Sequence, residues 1–166
     1  MTGHLTHEWA DFYIAAAGAA AAMAGLVIVA ISVNINRILE YSHLPSRAGA
    51  AISSLILILV CSMATLIPQS FAVLGAEIVV LGVCAWALQV GSARKGVAAR
   101  VQLGRRRSES VLDVVLGEIQ TVPFVVGGVL LMLKHDSGLY WMAGGVIAIF
   151  IFSVLNAWVL LVEILR

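Results

Sequence analysis

The chain has 166 residues, 61% of them hydrophobic and 11% charged, with a mean hydropathy of +1.04. These values lie outside the range of soluble domains and inside that of polytopic membrane proteins. A net charge of +1 gives no bulk reason to expect nucleic acid as a partner, and the longest polar stretch, residues 91–110, leaves no room for a separate soluble domain.

Residues 1–8 precede the membrane and carry acid and histidine but no basic n-region, so the first hydrophobic segment reads as a retained helix rather than a secretory signal. The first span is expected over residues 9–39, with Trp9, Phe12 and Tyr13 as an interfacial belt. Between residues 10 and 34 the one charge is Asp11, and the length suffices to cross a hydrocarbon layer of ~30 Å. Its composition is unusual for a lipid-facing helix. The run Ala15-Ala16-Ala17-Gly18-Ala19-Ala20-Ala21-Ala22-Met23-Ala24-Gly25 has almost no side-chain bulk. Small residues let backbones approach closely where no hydrophobic force draws helices together.

Alternating steps of four and three residues place His4, Glu8, Asp11, Ala15, Gly18, Ala22, Gly25, Val29, Ser32 and Asn36 along one seam. The seam is acidic at its start, small through its middle, and polar but uncharged at its end. Two arrangements satisfy it: close packing against other helices of the same chain, or copies of the helix around a central path. In the second, Asp11, Ala15, Gly18, Ala22, Gly25, Val29, Ser32 and Asn36 are pore-lining candidates, with Val29 as a hydrophobic constriction. In composition the Ala/Gly run resembles the pore helices of small-conductance mechanosensitive channels and of ring-forming rotor subunits. The resemblance carries over no functional residue, and the large cytoplasmic domain of those channels has no counterpart in this sequence. Ahead of the run, His4, His7, Glu8 and Asp11 form His-x-x-His-Glu-x-x-Asp, which falls on one helical face. His4, His7 and Glu8 are weak candidates for zinc or copper. Competing readings are a solvated mouth that concentrates cations and an exposed polar tail.

A polar link with Pro45 leads to a second span over residues 48–66, and Pro68-Gln69-Ser70 forms a tight turn into a third over 71–90. Glu77 interrupts that third span. An ionisable group about 9 Å below the surface points to function by default. The plain alternative is a carboxyl that joins helices through a hydrogen bond to Gln69 or Asn156. The basic stretch that follows holds Arg105, Arg106 and Arg107, candidates for binding anionic lipid headgroups or simply for setting orientation. Ser108 reads as an N-cap with Glu109 in the first turn.

The fourth segment, residues 111–133, is amphipathic at first and contains Pro123; it reads as a kinked span or, alternatively, as a re-entrant piece. The last span is expected over 139–165, where Ser153, Asn156 and Glu163 share a face. Cys61 and Cys84 fall at different depths on either side of the turn, too far apart for a disulfide, and read as small buried hydrophobes.

The fold class expected is therefore all-α: a single integral membrane helix bundle with five transmembrane helices, or four plus a re-entrant segment. With five spans and the N-terminus outside, Arg37, Arg47, Arg94, Lys95, Arg100, Arg105, Arg106, Arg107 and Arg166 are cytoplasmic and Lys134 alone is external. That distribution suits a plasma membrane, and the excess of Arg over Lys hints at a bacterial source. There is no phosphate loop, nucleophile elbow, potassium-filter motif, inverted repeat or pair of intramembrane histidines at haem-ligand depth, so neither an enzyme nor a cofactor is expected. The functional expectation is a homo-oligomer in membrane lipid, forming a cation-leaning channel lined by the first helix. The alternative is a non-conducting scaffold or regulator that binds a protein or lipid partner. Third comes a small transporter with Glu77 as proton carrier.

Overall fold

A computed structural model describes residues 2–33, 35, 44–102 and 108–162, and the side chains of residues 8–33, 35, 49–91 and 119–155. Among the described residues five helices have stated bounds, in chain order: α1 (Thr2–Val33), α2 (Leu44–Leu66), α3 (Phe71–Gln102), α4 (Ser108–Met132) and α5 (Ser137–Val162). Among the described residues there is no strand. In a bilayer core every backbone N–H and C=O must be paired within its own segment, which leaves an apolar chain little choice but helix. Four of the five contain a stretch long and apolar enough to span: Glu8–Val33, Gly49–Leu66, Phe71–Gly91 and Ser137–Leu155.

Helix α4 is the exception, with a shorter described apolar part, Ile119–Met132. It nevertheless continues through Pro123 without doubling back, and it runs antiparallel along α3. Its residues Gly128, Val125 and Gln120 meet the levels of Gly75, Gly82 and Gln89 in turn. The segment is thus one continuous helix laid along its neighbour.

The helices start earlier and run further than the apolar segments. Helix α1 begins at Thr2 rather than at Trp9, and α2 at Leu44. Helix α3 continues to Gln102, so the first part of the basic stretch, with Arg94, Lys95 and Arg100, is helical and not loop. The physical reason is that Ala, Arg, Lys and Gln are good helix formers, so a helix does not stop where hydropathy does.

Helix α1 packs on α2, α2 on α3, α3 on α4 and α4 on α5, with α5 closing back on α1 and α2. The core joins Tyr13, Ala16, Ala20 and Val27 of α1 to Leu55, Ile58 and Cys61 of α2, Leu74 and Ile78 of α3, and Phe124 and Met142 beyond. Tyr13 is not an interfacial residue: it is fully buried, and its hydroxyl donates to the carbonyl oxygen of Leu139 at 3.0 Å. Beside it Trp9 stacks edge-on to Tyr140, ring centroids 4.7 Å apart, so an aromatic clamp ties α1 to the start of α5.

The closest approaches lie at glycines of α3, α4 and α5. A Cβ on Gly75 would stand 2.5 Å from the carbonyl oxygen of Gly128 and 2.7 Å from the backbone nitrogen of Met132. A Cβ on Gly128 would meet Gly75 and Val79 at 2.8 Å. Gly127 and Gly138 stand in the same relation between α4 and α5. The chain leaves α4 through a left-handed Lys134, with φ of 60°; Lys134 N–H donates to Leu131 O and His135 N–H to Leu130 O, the two bonds of a Schellman cap.

These contacts predict a contrast between glycines. Gly75→Ala and Gly128→Ala should each lower stability by about 1–3 kcal/mol, because backbone atoms and not a pliable side chain stand in the way. Gly18→Ala, with nothing within 4 Å of the added carbon, should be neutral or stabilise by up to about 1 kcal/mol. Unfolding titrations in detergent decide the matter; equal stability of the Gly75 variant and the parent would refute the close-packing account.

Candidate functional site

On α1 the fully buried residues Tyr13, Ala16, Ala20 and Val27 mark the face turned to the rest of the chain. At 100° per residue, Gly18 and Ala22 lie about 200° of rotation before and after Ala20, which puts both on the far side of the helix. Asp11, Ala15, Gly18, Ala22, Gly25, Val29 and Ser32 are all exposed. Among the described residues nothing lies within 4 Å of a Cβ built on Gly18 or Gly25. The small-residue seam is therefore not used for packing against the described residues. Bulkier exposed residues, Ile14, Leu26 and Val33, flank it. Val29 is 60% exposed, and the Ser32 hydroxyl is turned back onto the carbonyl of Ile28 at 2.8 Å, which satisfies it without a partner helix. Only 17% of this span is buried, against 50% of the span in α2.

Glu8 and Asp11 are exposed at the start of the seam. His4 and His7 lie on α1, but their side chains are outside the described set, as are Asn36, Arg105, Arg106, Arg107 and the side chain of Asn156. Among the described residues no group of three metal-ligating side chains comes together.

Glu77 sits on the exposed surface of α3, and Gln69 is its partner. The Gln69 amide donates one hydrogen to Glu77 Oε2 at 2.9 Å and the other to the carbonyl oxygen of Ala64 at 3.2 Å. The amide thus ties the turn to the helices on both sides of it. Ser70 completes the turn, its hydroxyl accepting from the N–H of Val73 at 3.4 Å as an N-cap of α3. Ser ahead of an apolar run was available as a signal for this cap. Cys61 is buried as expected, but Cys84 is exposed on α3, and both are free thiols. Its position on the outward side of α3, rather than its apolar surroundings in sequence, decides its burial.

A second polar cluster was not anticipated. The Gln89 amide of α3 donates to the Ser54 hydroxyl of α2 at 2.8 Å. The single hydrogen of that hydroxyl faces the Ala50 carbonyl at 3.0 Å and the Gln120 amide oxygen of α4 at 3.2 Å. Three helices are thereby joined through neutral groups at the end of the bundle opposite the Gln69 turn. Chain spacing gives no hint of it, since Ser54 and Gln120 are 66 residues apart. Ser62, fully buried in the last part of α2, has no hydrogen-bond partner for its hydroxyl among the described residues. A shallow apolar groove of about 270 Å³, lined by Pro123, Tyr140, Trp141 and Gly144, opens between α4 and α5.

No family model, curated protein or solved structure matches the chain.

Replacing Ser54 with Ala should cost about 0.5–2 kcal/mol, since it leaves the buried Gln89 amide unpaired in an apolar setting. The double variant Ser54→Ala, Gln89→Leu should cost less than the sum of its parts. Strict additivity in a denaturation series would dissolve the cluster as an energetic unit.

Proposed function

We propose that the protein is a homo-oligomeric membrane channel, leaning to cations, whose copies bring the exposed seam of α1 together around an axis. The observation that carries this reading is the direction of the seam: Gly18, Ala22 and Gly25 are exposed, and a Cβ on either glycine meets nothing among the described residues. Small residues give a poor surface to lipid and a good one to another helix. Around such an axis Glu8 and Asp11 raise the local cation concentration at one mouth. Val29, exposed and apolar, supplies a constriction, and Ser32 a polar exit. The path from Glu8 to Ser32 is about 36 Å at 1.5 Å per residue, enough to cross a bilayer.

Orientation follows from the charges. With nine of ten Lys and Arg placed on one side, the segments that carry them lie in the cytoplasm, and the start of α1 lies outside the plasma membrane. The Arg105–Arg107 cluster then faces anionic lipid headgroups.

The test is native mass spectrometry of the detergent-solubilised protein together with ion flux in liposomes. Gly18→Leu and Gly25→Leu should leave helicity and monomer stability unchanged, because each added side chain enters open space, yet should disrupt assembly and flux. Asp11→Asn should lower the preference for potassium over chloride. A parent protein that stays monomeric, or leucine variants that assemble and conduct like the parent, would sink the channel and leave a scaffold.

A further inference from the structure

The groove between α4 and α5 has a definite depth. Tyr140 and Trp141 lie three and four residues into the span that begins at Ser137, about 5 Å along its axis. That is the thickness of the zone, about 5–8 Å on each side, where headgroups give way to hydrocarbon. Gly144 lies one turn deeper, and a Cβ on its neighbour Gly145 would stand 3.1 Å from Pro123 Cβ, so Pro123 and Gly144 are level at the inner end. Nothing among the described residues lies within 4 Å of a Cβ built on Gly144. The missing side chain is what opens the groove.

Its rim is polar and its floor is not. Tyr140 and Trp141 are both exposed, and neither the Tyr140 hydroxyl nor the Trp141 indole N–H has a hydrogen-bond partner among the described residues. The edge-on Trp9 ring holds Tyr140 in place. Two fixed donors above an apolar floor suit an amphiphile with acceptor oxygens at its waist. A volume of about 270 Å³ is less than one turn of a helix about 10 Å across and 5.4 Å in pitch, so the groove does not seat a helix of a second copy.

The charges above it narrow the choice. From residue 119 to 155 the sequence has two, Lys134 and Asp136, both in the α4–α5 turn and both exposed. Asp136 caps α5, its carbonyl accepting from the N–H of Leu139 at 3.2 Å, and it stands four residues ahead of Tyr140 and eight ahead of Gly144, along one stripe. One cation and one anion complement a headgroup that carries both a phosphate and a primary ammonium. We propose that the groove holds one phosphatidylethanolamine, with an acyl chain over Gly144 and Pro123, ester oxygens accepting from Tyr140 and Trp141, phosphate at Lys134 and ammonium at Asp136. A quaternary ammonium has no N–H to give the carboxylate, and a glycerol headgroup has no cation. The site needs the membrane bundle alone and does not depend on the homo-oligomer reading.

Native mass spectrometry tests it, on protein reconstituted with equal parts phosphatidylethanolamine, phosphatidylglycerol and phosphatidylcholine and then taken into mild detergent. The parent should keep one phosphatidylethanolamine per chain, in preference to the other two. Gly144→Leu should lose it by about tenfold or more, because the added side chain overlaps the acyl chain, while helicity holds. Tyr140→Phe and Trp141→Phe keep the rings and should each lower retention by about fivefold, which tests the site even where Gly144→Leu fails to fold. Asp136→Asn keeps a capping residue and should abolish the preference for phosphatidylethanolamine. A parent that keeps no lipid, or all three equally, would overturn the site, as would a Gly144→Leu variant that retains lipid like the parent. If Gly144→Leu disperses an oligomer without changing lipid retention, the groove is a contact between copies and the lipid site fails. A monomeric parent that keeps its phosphatidylethanolamine would sink the channel and leave this site standing.

Discussion

Apolar helices in lipid gain nothing by leaving an apolar solvent for an apolar neighbour, so they associate where backbones come close enough for dense dispersion contact. In this chain that condition is met at Gly75 against Gly128 and at Gly127 against Gly138. Those two crossings lock α3, α4 and α5 together, and they explain how the shortest apolar segment keeps its place. Helix α4 is held by contact on both sides, so Pro123, which removes one backbone donor, sits in a helix that its neighbours already define. Gly145 continues the pattern, its missing side chain leaving room for the Phe124 ring.

Polar groups divide by end. At one end the buried Gln89 and Ser54 and the half-buried Gln120 form a neutral cluster between three helices. At the other, Glu77, Lys134, His135 and Asp136 are exposed near the turns. Neutral amides and hydroxyls can be buried in an apolar bundle once they pair with each other, whereas an ion buried there costs several kcal/mol even after relaxation. Serine and threonine elsewhere solve the same problem locally, as when Thr65 donates back to the carbonyl of Cys61 at 2.8 Å.

Hydropathy alone made the all-helical membrane bundle legible, because a run of apolar residues long enough to cross the bilayer has one stable backbone conformation there. The Gln69–Glu77 bond was legible too, since the turn at Pro68 brings residues eight apart within reach. What remained hidden was the partner of each small residue. The Ala/Gly run of α1 draws the eye, yet the chain packs its own backbones at single or paired glycines of α3, α4 and α5, set among bulky apolar residues. Periodicity locates a face but does not say what lies opposite. The same limit concealed the link from Ser54 to Gln120 and placed Tyr13 at an interface when it belongs to the core.

The distribution of bulk around α1 bears on what covers it. Burial of each CH₂ in an apolar medium contributes about 0.8 kcal/mol, so a spanning helix gains most anchorage by showing lipid large side chains. Ile14, Leu26, Ile28 and Val33 do so. Between them Ala15, Gly18, Ala22 and Gly25 forgo it on the surface furthest from the chain's own core. No packing among the described residues requires that economy of side chain, because the helix would fit α2 equally well with leucine on its far side. A face kept slim with no reason among the described contacts is the surface expected of a helix that meets an external one, which is the ground on which the assembly is proposed.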